Sequence, residues 1–184
     1  YLDGLTGYDL VLRSPGVYYN QPALREASRR GVPITSEMEL FLELCPCRVY
    51  GVTGSDGKTT TATLTARMLE AAGYKVYLGG NIGRALLPVA DQIRPEDRAV
   101  VELSSFQLLS MRRSPDVAIV TNLRPNHLDV HGSMEEYLDS KKNLIRHQNA
   151  FCRAVLNYDD PACRQWAGDV RAELGWFSRR EVVP

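Results

Sequence analysis

A glycine-rich loop followed by lysine and threonine is the stretch of this sequence with the clearest chemical meaning. It follows a β-branched segment at 48–53, precedes a helical pattern at 58–72, and reads Gly54-Ser55-Asp56-Gly57-Lys58-Thr59-Thr60. Glycines let main-chain N–H groups approach an anion closely, and a helix that begins here directs its positive dipole end at the same anion. Lys58 would reach the β- and γ-phosphates of a nucleotide, and the hydroxyl of Thr59 would bind Mg²⁺. The loop therefore predicts phosphate binding in a short G-x-x-G-K-T form, since Val52 replaces the first glycine of the strict P-loop, with a plain turn before a helix as the alternative.

A carboxylate stands at the end of another predicted strand, 98–103. In sheets that hydrolyse nucleotides, an acidic residue at such a strand end is the usual second anchor for Mg²⁺. Glu102 is the residue that fits this role. Ser104 and Gln107 follow at the S-x-x-Q spacing of a helix capping box, so helix capping and contact with a substrate both remain open for them.

Two further loops carry polar side chains after predicted strands. The run Gly79-Gly80-Asn81-Ile82-Gly83 allows a ligand to approach the main chain closely, and Asn81 offers it a donor and an acceptor, with a simple turn as the alternative. The loop at 121–132 holds two histidines, an aspartate and two asparagines. From this composition we expect His127 to lie beside Mg²⁺ or a phosphate, with a surface histidine as the alternative.

One lysine of the predicted helix at 134–148 lies on the apolar side of that helix. Lys141 falls on the apolar stripe and Lys142 does not; the stripe consists of Met134, Tyr137, Leu138, Leu144 and Ile145. Contact with protein disfavours the charged form of a lysine, so its pKa falls and the neutral amine becomes nucleophilic. Such an amine can capture CO₂ as a carbamate, which converts a cation into a metal-binding anion. The alternative is a lysine whose ammonium group reaches solvent along its flexible stem.

Strands and helices alternate from residue 48 onward, and this order predicts a mostly parallel sheet with helices on both faces. The predicted strands are 48–53, 75–79, 98–103, 116–121, 153–157 and 173–177, and the predicted helices are 58–72, 84–93, 105–112, 134–148 and 160–168. In such sheets ligands bind outside the carboxyl ends of the strands. Because each polar loop follows a strand, we expect the loops to converge on one edge of the sheet.

Residues 1–35 have the pattern of a single β-α-β unit. Its predicted elements are a strand at 8–12, a helix at 22–30 and a strand at 32–34. One such unit cannot bury both faces of its sheet, so we expect 1–35 to be the C-terminal remnant of a larger, Rossmann-like N-terminal domain. A capping pattern at Ser36 begins a linker helix in 36–47, and 48–184 form a P-loop-type, nucleotide-binding central domain.

Composition and charge argue against several classes of function. The 184 residues are 44% apolar with a formal net charge of zero, so the charge balance favours neither nucleic acid nor an anionic membrane as a partner. No apolar run approaches the roughly 20 residues of a membrane span, and no signal peptide leads the chain. We therefore expect a cytoplasmic protein. Its four cysteines lack paired C-x-x-C units and indicate reduced thiols, with a metal or redox role of Cys45-Pro46-Cys47 as the alternative.

The motifs occur together in an order that resembles the Mur ligases, and among them the group that adds D-glutamate. The segments that carry the resemblance are Ser14-Pro15-Gly16, Gly54-Ser55-Asp56-Gly57-Lys58-Thr59, Gly80-Asn81-Ile82-Gly83, Glu102-Leu103-Ser104-Ser105-Phe106-Gln107 and Asn126-His127-Leu128-Asp129. The G-N-I-G and E-L-S-S-F-Q segments distinguish the D-glutamate-adding group from its relatives. Two positions depart from the usual pattern, with Asp56 in place of Asn and Asn126 in place of Asp.

The resemblance implies how a nucleotide and two metal ions would be held. ATP would bind the loop at 54–60, with Thr59 and Glu102 on one Mg²⁺ ion. A second Mg²⁺ ion would be held by Glu102, His127 and a carbamylated Lys141. The resemblance therefore favours the carbamate over a lysine that reaches solvent.

The resemblance also implies a reaction, the addition of D-glutamate to UDP-N-acetylmuramoyl-L-alanine in peptidoglycan synthesis. ATP would phosphorylate the L-alanyl carboxylate, and the amine of D-glutamate would then displace phosphate and leave an amide. Lys58 and the two Mg²⁺ ions would offset the repulsion between the γ-phosphate and the attacking carboxylate. Asn81, Ser104 and Gln107 would contact the nucleotide-sugar substrate, residues 1–35 would come from the domain that binds it, and a monomer is expected.

Members of this family have a complete N-terminal domain, a longer central domain and a C-terminal domain that closes on ATP. We therefore expect this chain alone to bind ADP or ATP weakly and to turn over little or no substrate. Three other functions remain as alternatives: a Mur-type ligase for another amino acid, a P-loop kinase for a small metabolite, and a nucleotide-binding fragment without catalysis.

Overall fold

The computed structural model of the chain describes residues 2–124 and 133–183. Its strands are β1 (Val11–Leu12), β2 (Ile34–Thr35), β3 (Arg48–Thr53), β4 (Val76–Gly80), β5 (Arg98–Glu102), β6 (Val117–Val120), β7 (Arg153–Asn157) and β8 (Glu173–Phe177). Its α-helices are α1 (Pro22–Arg29), α2 (Glu37–Leu44), α3 (Lys58–Ala71), α4 (Ser105–Leu108), α5 (Met134–Arg146) and α6 (Pro161–Trp166), and 3-10 helices cover Leu5–Gly7, Leu87–Gln92 and Ala167–Asp169. Within these two ranges, no helix combines the length and the apolar character needed to cross a membrane.

Strands β3 to β8 form one parallel sheet in the order β4-β5-β3-β6-β7-β8. The chain runs from the central strand β3 to one edge, returns through β5, and crosses to the other half of the sheet at β6. Val52 of β3 and Gly80 of β4 both pair with Glu102 of β5, and Thr53 pairs with Val120 of β6. The carboxyl ends of these four strands therefore lie side by side. The mostly parallel sheet flanked by helices is confirmed.

Two apolar layers hold the helices against this sheet. Strand residues 99–101 at its centre are small or β-branched and fully buried, as strands covered on both faces require. On one face α3 approaches closely because it presents the small side chains of Ala62 and Ala66 to the sheet. The other face forms the larger core, to which α2 contributes Phe41 and α5 contributes Leu144. The central strands and their carboxyl ends are thereby fixed from both sides.

The residues before the main sheet form a second, two-stranded parallel sheet of β1 and β2. Helix α1 connects these strands and buries Leu24 and Ala27. The strands predicted at 8–12 and 32–34 are wrong in extent, since only two residues of each strand pair. Pro33 explains the late start of β2, because a proline has no N–H to donate to a ladder.

Two predicted helices are also wrong in extent. The helix predicted at 84–93 is a short 3-10 helix, because Pro88 cannot lie inside an α-helix that begins four residues earlier. The helix predicted at 105–112 is only the four residues of α4. After it, the N–H of Met111 donates to the carbonyl of Leu108 in a tighter turn, and the N–H of Arg112 donates to the carboxylate of Glu39 at 2.8 Å instead of to a helical carbonyl.

The burial pattern makes a stability prediction with a matched control. Leu156 of β7 is 0% exposed, whereas Leu64 of α3 is 57% exposed. We expect Leu156→Ala to lower the free energy of unfolding by about 3 kcal/mol, because it removes buried methyl groups and leaves a cavity. Leu64→Ala should change it by less than about 0.5 kcal/mol. Urea denaturation followed by circular dichroism measures both, and equal losses would contradict the position of β7 in the core.

Candidate active site

The glycine-rich loop leaves β3 and passes very close to the end of β6. Gly54 has a φ of +152° and Gly57 has a φ of +76°, conformations that side chains rarely adopt. A Cβ atom on Gly54 would lie 1.9 Å from the Oγ1 atom of Thr121. The loop can therefore approach β6 this closely only with glycine at its first position.

Two residues at the end of β6 hold the main chain of the loop at Asp56. The hydroxyl of Thr121 donates to the carbonyl oxygen of Asp56 at 2.6 Å. The side-chain amide of Asn122 pairs with the same residue, donating to its carbonyl oxygen at 2.9 Å and accepting from its N–H at 3.0 Å. These bonds fix the two peptide groups on either side of the Asp56 Cα atom, while Asp56 itself is exposed.

Ser55 links the loop to α5 and to the segment after β6. Its hydroxyl and the phenol of Tyr137 lie 2.9 Å apart in a buried hydrogen bond. The same hydroxyl donates to the carbonyl of Arg124 and accepts from the N–H of Arg124, both at 2.8 Å. The ammonium group of Lys58 donates to the carbonyl oxygen of Ser55 at 2.9 Å. The Lys58 side chain is thus held against the main chain of the same loop.

The Glu102 carboxylate joins the loop to the turn after β4. It is 2% exposed, and one oxygen accepts from the hydroxyl of Thr59 at 2.7 Å. The other oxygen accepts from the side-chain amide of Asn81 at 2.9 Å. A Cβ atom on Gly80 would come within 2.2 Å of the Glu102 carbonyl oxygen, so this glycine permits the close approach. Glu102 faces the phosphate loop, as the sequence predicts.

Lys141 of α5 reaches the loop from the other side. Its side chain is 2% exposed, and its Nζ atom donates to the carbonyl oxygen of Gly54 at 2.9 Å. Burial and, to a smaller extent, the positive charge of Lys58 together lower the pKa of this amine to about 7, against the opposing effect of Glu102. Lys142, one residue on, instead forms an ion pair with Asp169 at the surface. The apolar stripe of the helix correctly distinguishes the two lysines.

These residues surround a cavity of about 250 Å³ at the carboxyl edge of the sheet. The predicted site residues on its wall are Lys58, Asn81, Ser104 and Lys141, together with Ser55, Ser105, Phe106 and Tyr137. Ser104 and Gln107 form the capping box of α4, in which the Gln107 side chain accepts from the N–H of Ser104 at 2.9 Å. The Gln107 side chain therefore caps a helix, and Gln107 is not among the residues that line the cavity.

The oxygen atoms of Thr59 and Glu102 are donors of the kind that Mg²⁺ prefers. They lie 2.7 Å apart beside Lys58, so the residues present fit a metal ion at a nucleotide's terminal phosphates. His127 lies outside the described residues. Among the residues that are described, no group of three or more His, Cys, Asp or Glu side chains could hold a metal alone. Thr60, the last residue of the predicted loop, is exposed on the first turn of α3.

A larger polar cavity of about 760 Å³ is lined by Asp56 of the loop and by Asn122. Asn157 at the end of β7 and Asp159 just after it also line this cavity. Its size and its amide and carboxylate groups suit the polar base and ribose of a nucleotide. Ser55 and Lys58 of the glycine-rich loop line the smaller cavity, and Asp56 of the same loop lines the larger one.

Sequence analysis missed three residues that shape this site. Thr121 is the last residue of the fourth predicted strand and Asn122 directly follows it, and that position is the signal that could have identified them. Tyr137 was assigned to the apolar stripe of its helix, which is correct for its ring but not for its hydroxyl group. Buried tyrosines usually have a partner for that hydroxyl.

The low pKa of Lys141 predicts how stability depends on pH. Between about pH 7.5 and 9.5 the folded chain has lost this proton, with a pKa of about 7, whereas the unfolded chain keeps it up to the ordinary lysine pKa of 10.5. Stability should therefore rise with pH, by about 1.4 kcal/mol per pH unit from this group alone.

Denaturation of the wild-type chain and of Lys141→Met in CO₂-free buffers measures this contribution as the difference between the two curves. Lys142→Met is the matched control and should keep the wild-type dependence on pH. Parallel curves for the wild type and Lys141→Met would contradict the lowered pKa.

Comparison with known proteins agrees with this geometry. The sequence model of the Mur ligase middle domain matches residues 52–178. Two similar relatives are UDP-N-acetylmuramoylalanine--D-glutamate ligases. That of Acetivibrio thermocellus is 52% identical over 183 residues, covering 100% of this chain and 39% of the relative. That of Ruminiclostridium cellulolyticum is 48% identical over 179 residues, covering 97% of this chain and 38% of the relative.

Solved structures of low sequence identity share the fold. MurF ligase from Thermotoga maritima, in complex with ADP, superposes with a TM-score of 0.63 at 24% identity, over 97% of this chain and 52% of that one. UDP-N-acetylmuramate:L-alanyl-gamma-D-glutamyl-meso-diaminopimelate ligase from Neisseria meningitides superposes with a TM-score of 0.65 at 19% sequence identity. The superposition covers 93% of this chain and 59% of that one. The chain spans about two fifths of the length of the curated relatives it matches, 39% in the first case. With the middle-domain match extending over residues 52–178, this chain belongs to the Mur ligase family.

Proposed function

We propose that the chain is the nucleotide-binding part of an ATP-dependent, ADP-forming ligase that adds D-glutamate to UDP-N-acetylmuramoyl-L-alanine. The observation that carries the proposal is the Glu102 carboxylate, which binds Thr59 of the phosphate loop and Asn81 beside a cavity that Lys58 and Lys141 also line. The choice of D-glutamate is supported by the name of the Acetivibrio thermocellus relative, at 52% identity. The proposed location of the enzyme is the cytoplasm, and its proposed state is a monomer.

The proposed domain organisation has three parts. Residues 1–35 belong to the domain that binds the nucleotide sugar, 36–47 are a linker, and 48–184 are the ATP-binding central domain. The separate two-stranded sheet of β1 and β2 supports the first boundary. Helix α2, which begins at its cap Ser36 and ends just before β3, supports the second.

Loop residues 54–60 would hold the phosphates of ATP, with the larger cavity for its base and ribose. The hydroxyl of Thr59 and the carboxylate of Glu102 would share one Mg²⁺ ion, and bound Mg²⁺ supplies charge neutralisation to the phosphates. Glu102, His127 and a carbamylated Lys141 would hold a second ion. The Thr59 hydroxyl, which donates to the Glu102 carboxylate at 2.7 Å, would exchange that hydrogen bond for a bond to the ion.

The surroundings of Lys141 support its modification by CO₂. With a pKa of about 7 the amine is largely neutral just above neutral pH, and only a neutral amine can attack CO₂. The new C–N bond gives a carbamate, and one proton is released to solvent. The N–H that remains could keep donating to the Gly54 carbonyl, now 2.9 Å from Nζ. The negative group would then lie where the second metal ion is proposed.

The cavity residues suit acyl-phosphate chemistry. Lys58 would stabilise the charge that accumulates as the substrate carboxylate attacks the γ-phosphate. Asn81, Ser104 and Gln107 are the proposed contacts for the nucleotide sugar. Asn81 and Ser104 are supported by their place on the cavity wall, whereas Gln107 would act through the capping box that orients Ser104.

A chimera tests the proposed function. In it, this chain replaces the matching 183-residue stretch of the Acetivibrio thermocellus ligase, so that the remaining parts of the relative complete the enzyme. We expect ADP release to require both UDP-N-acetylmuramoyl-L-alanine and D-glutamate. Lys58→Met should abolish it, and exposed Lys75→Met should not. Turnover with another amino acid instead would indicate a different Mur-type ligase, and turnover without any amino acid would indicate a kinase.

Replacement of two adjacent lysines in the chimera tests the carbamate. Lys141→Ala should lower kcat by about 100-fold or more, because it removes a proposed metal ligand, and added formate or acetate should restore part of the activity. Lys142→Ala is the control and should retain most of the activity, since its side chain only pairs with Asp169 at the surface. Absence of rescue by carboxylates, with the variant folded, would count against a carbamate.

A further inference from the structure

Arg13 is a buried cation at the junction between the two sheets. It follows β1 directly, and it is 4% exposed. One guanidinium nitrogen donates to the carbonyl oxygens of Ser14 and Val17, at 3.2 and 2.6 Å. The other donates to the carbonyl of Phe106 at 3.3 Å and to the hydroxyl of Ser110 at 2.8 Å. One side chain therefore connects the loop after β1 with α4 and the residues that follow it.

A buried position is unfavourable for the positive charge of Arg13 unless hydrogen bonds compensate for the lost contact with water. Burial lowers the pKa of Arg13, and the nearby carboxylate of Glu39 opposes that shift. Removing a guanidinium group from water costs several kcal/mol, which hydrogen bonds must offset. The planar guanidinium group can donate to two segments of the chain at once, and the ammonium group of a lysine cannot do so with the same geometry.

The two segments that Arg13 connects are the opposite walls of one cavity of about 310 Å³. Pro15, Gly16 and Tyr18 line one wall, and Asn81, Ser104, Phe106 and Leu109 line the other, with Arg13 between them. Asn81, Ser104 and Phe106 also line the cavity beside Lys58 and Lys141. The space beside the phosphate loop therefore adjoins the loop after β1 through three shared residues.

A second contact between the same loop and the central sheet lies at the surface. The hydroxyl of Tyr18 donates to the carboxylate of Glu136 on α5 at 2.7 Å, and this bond raises the pKa of Tyr18 to about 12. Exposed contacts of this kind contribute less to fixing a structure than buried ones. Arg13 is thus the stronger of these two connections.

We propose that Arg13 is a positioning residue for the nucleotide-sugar acceptor, because it sets the separation of the two walls between which that substrate binds. This inference rests on the proposed function, in which Asn81 and Ser104 contact the acceptor. Arg13 acts through the loop at 14–17 and through α4. It has no contact with the glycine-rich loop among the described residues, so its removal should affect the acceptor and leave the nucleotide unaffected.

Four variants of the 184-residue chain separate positioning from charge and from folding. Arg13→Met removes all four hydrogen bonds at similar length, and Arg13→Lys keeps the charge without the planar fork. Ser110→Ala removes one partner only. Arg29→Met is the matched control, because it removes an arginine of α1 whose side chain is mostly exposed and pairs with Glu26.

Isothermal titration calorimetry with UDP-N-acetylmuramoyl-L-alanine and with Mg·ADP, together with thermal unfolding, measures the effect. We expect Arg13→Met to weaken acceptor binding about tenfold or more, Ser110→Ala to weaken it about threefold, and Arg13→Lys to fall between them. Binding of Mg·ADP should stay within about twofold in all four variants, and Arg29→Met should bind both ligands as the wild-type chain does.

Several results would overturn the inference. The first is that Arg13→Met binds the acceptor as tightly as the wild-type chain. The second is that Arg13→Met weakens binding of both ligands equally and lowers the unfolding temperature, since that result indicates a purely structural role. If Arg13→Met does not fold, Ser110→Ala decides, and wild-type acceptor affinity in that variant counts against positioning. A wild-type chain that binds Mg·ADP but not the acceptor overturns this inference alone. A chain that binds neither ligand overturns the proposed function as well.

Discussion

The buried carboxylate of Glu102 is the contact on which the rest of this site depends. Glu102 pairs with both Val52 and Gly80 in the parallel sheet, so the carboxyl ends of β3, β4 and β5 lie side by side. A carboxylate with so little exposure needs hydrogen-bond donors, and it obtains them from Thr59 and Asn81. One acidic side chain therefore joins the phosphate loop to the turn after β4. The same oxygen atoms are the ones suited to a metal ion.

Two lysines facing one small cavity give that cavity an adjustable charge. Lys58 is held by a loop carbonyl near the helix start, where a phosphate would approach. Lys141 is buried, and its pKa of about 7 means that its proton is easily lost near neutral pH. Loss of that proton removes one positive charge, and a carbamate would reverse the sign. In the proposed function this cavity accepts both anionic phosphate and metal ions, and a group that can change charge in this way would suit it to both.

The sequence predicts the main sheet well and the contacts between its loops poorly. All six strands of the main sheet were predicted within one residue at each end, because buried parallel strands are dense apolar runs between turn residues. Glu102 and Lys141 were predicted because strand ends and helical stripes are local patterns. The contacts of Asn122 and Tyr137 with the phosphate loop join residues 66 and 82 positions apart, and no local pattern encodes such distances.

The two ends of the proposed site differ in how much a single stretch of sequence reveals about them. The phosphate end contains a contiguous motif whose glycines allow close approach to Thr121, so the sequence locates it, although residues 65 and 66 positions away hold the loop in place. The proposed acceptor end is built from segments that belong to different sheets, and Arg13 joins them through bonds to residues 93 and 97 positions away. A ligase must bring a carboxylate from one end to a phosphate at the other within bonding distance. The contacts between the walls are therefore as important for alignment as the glycine-rich loop itself.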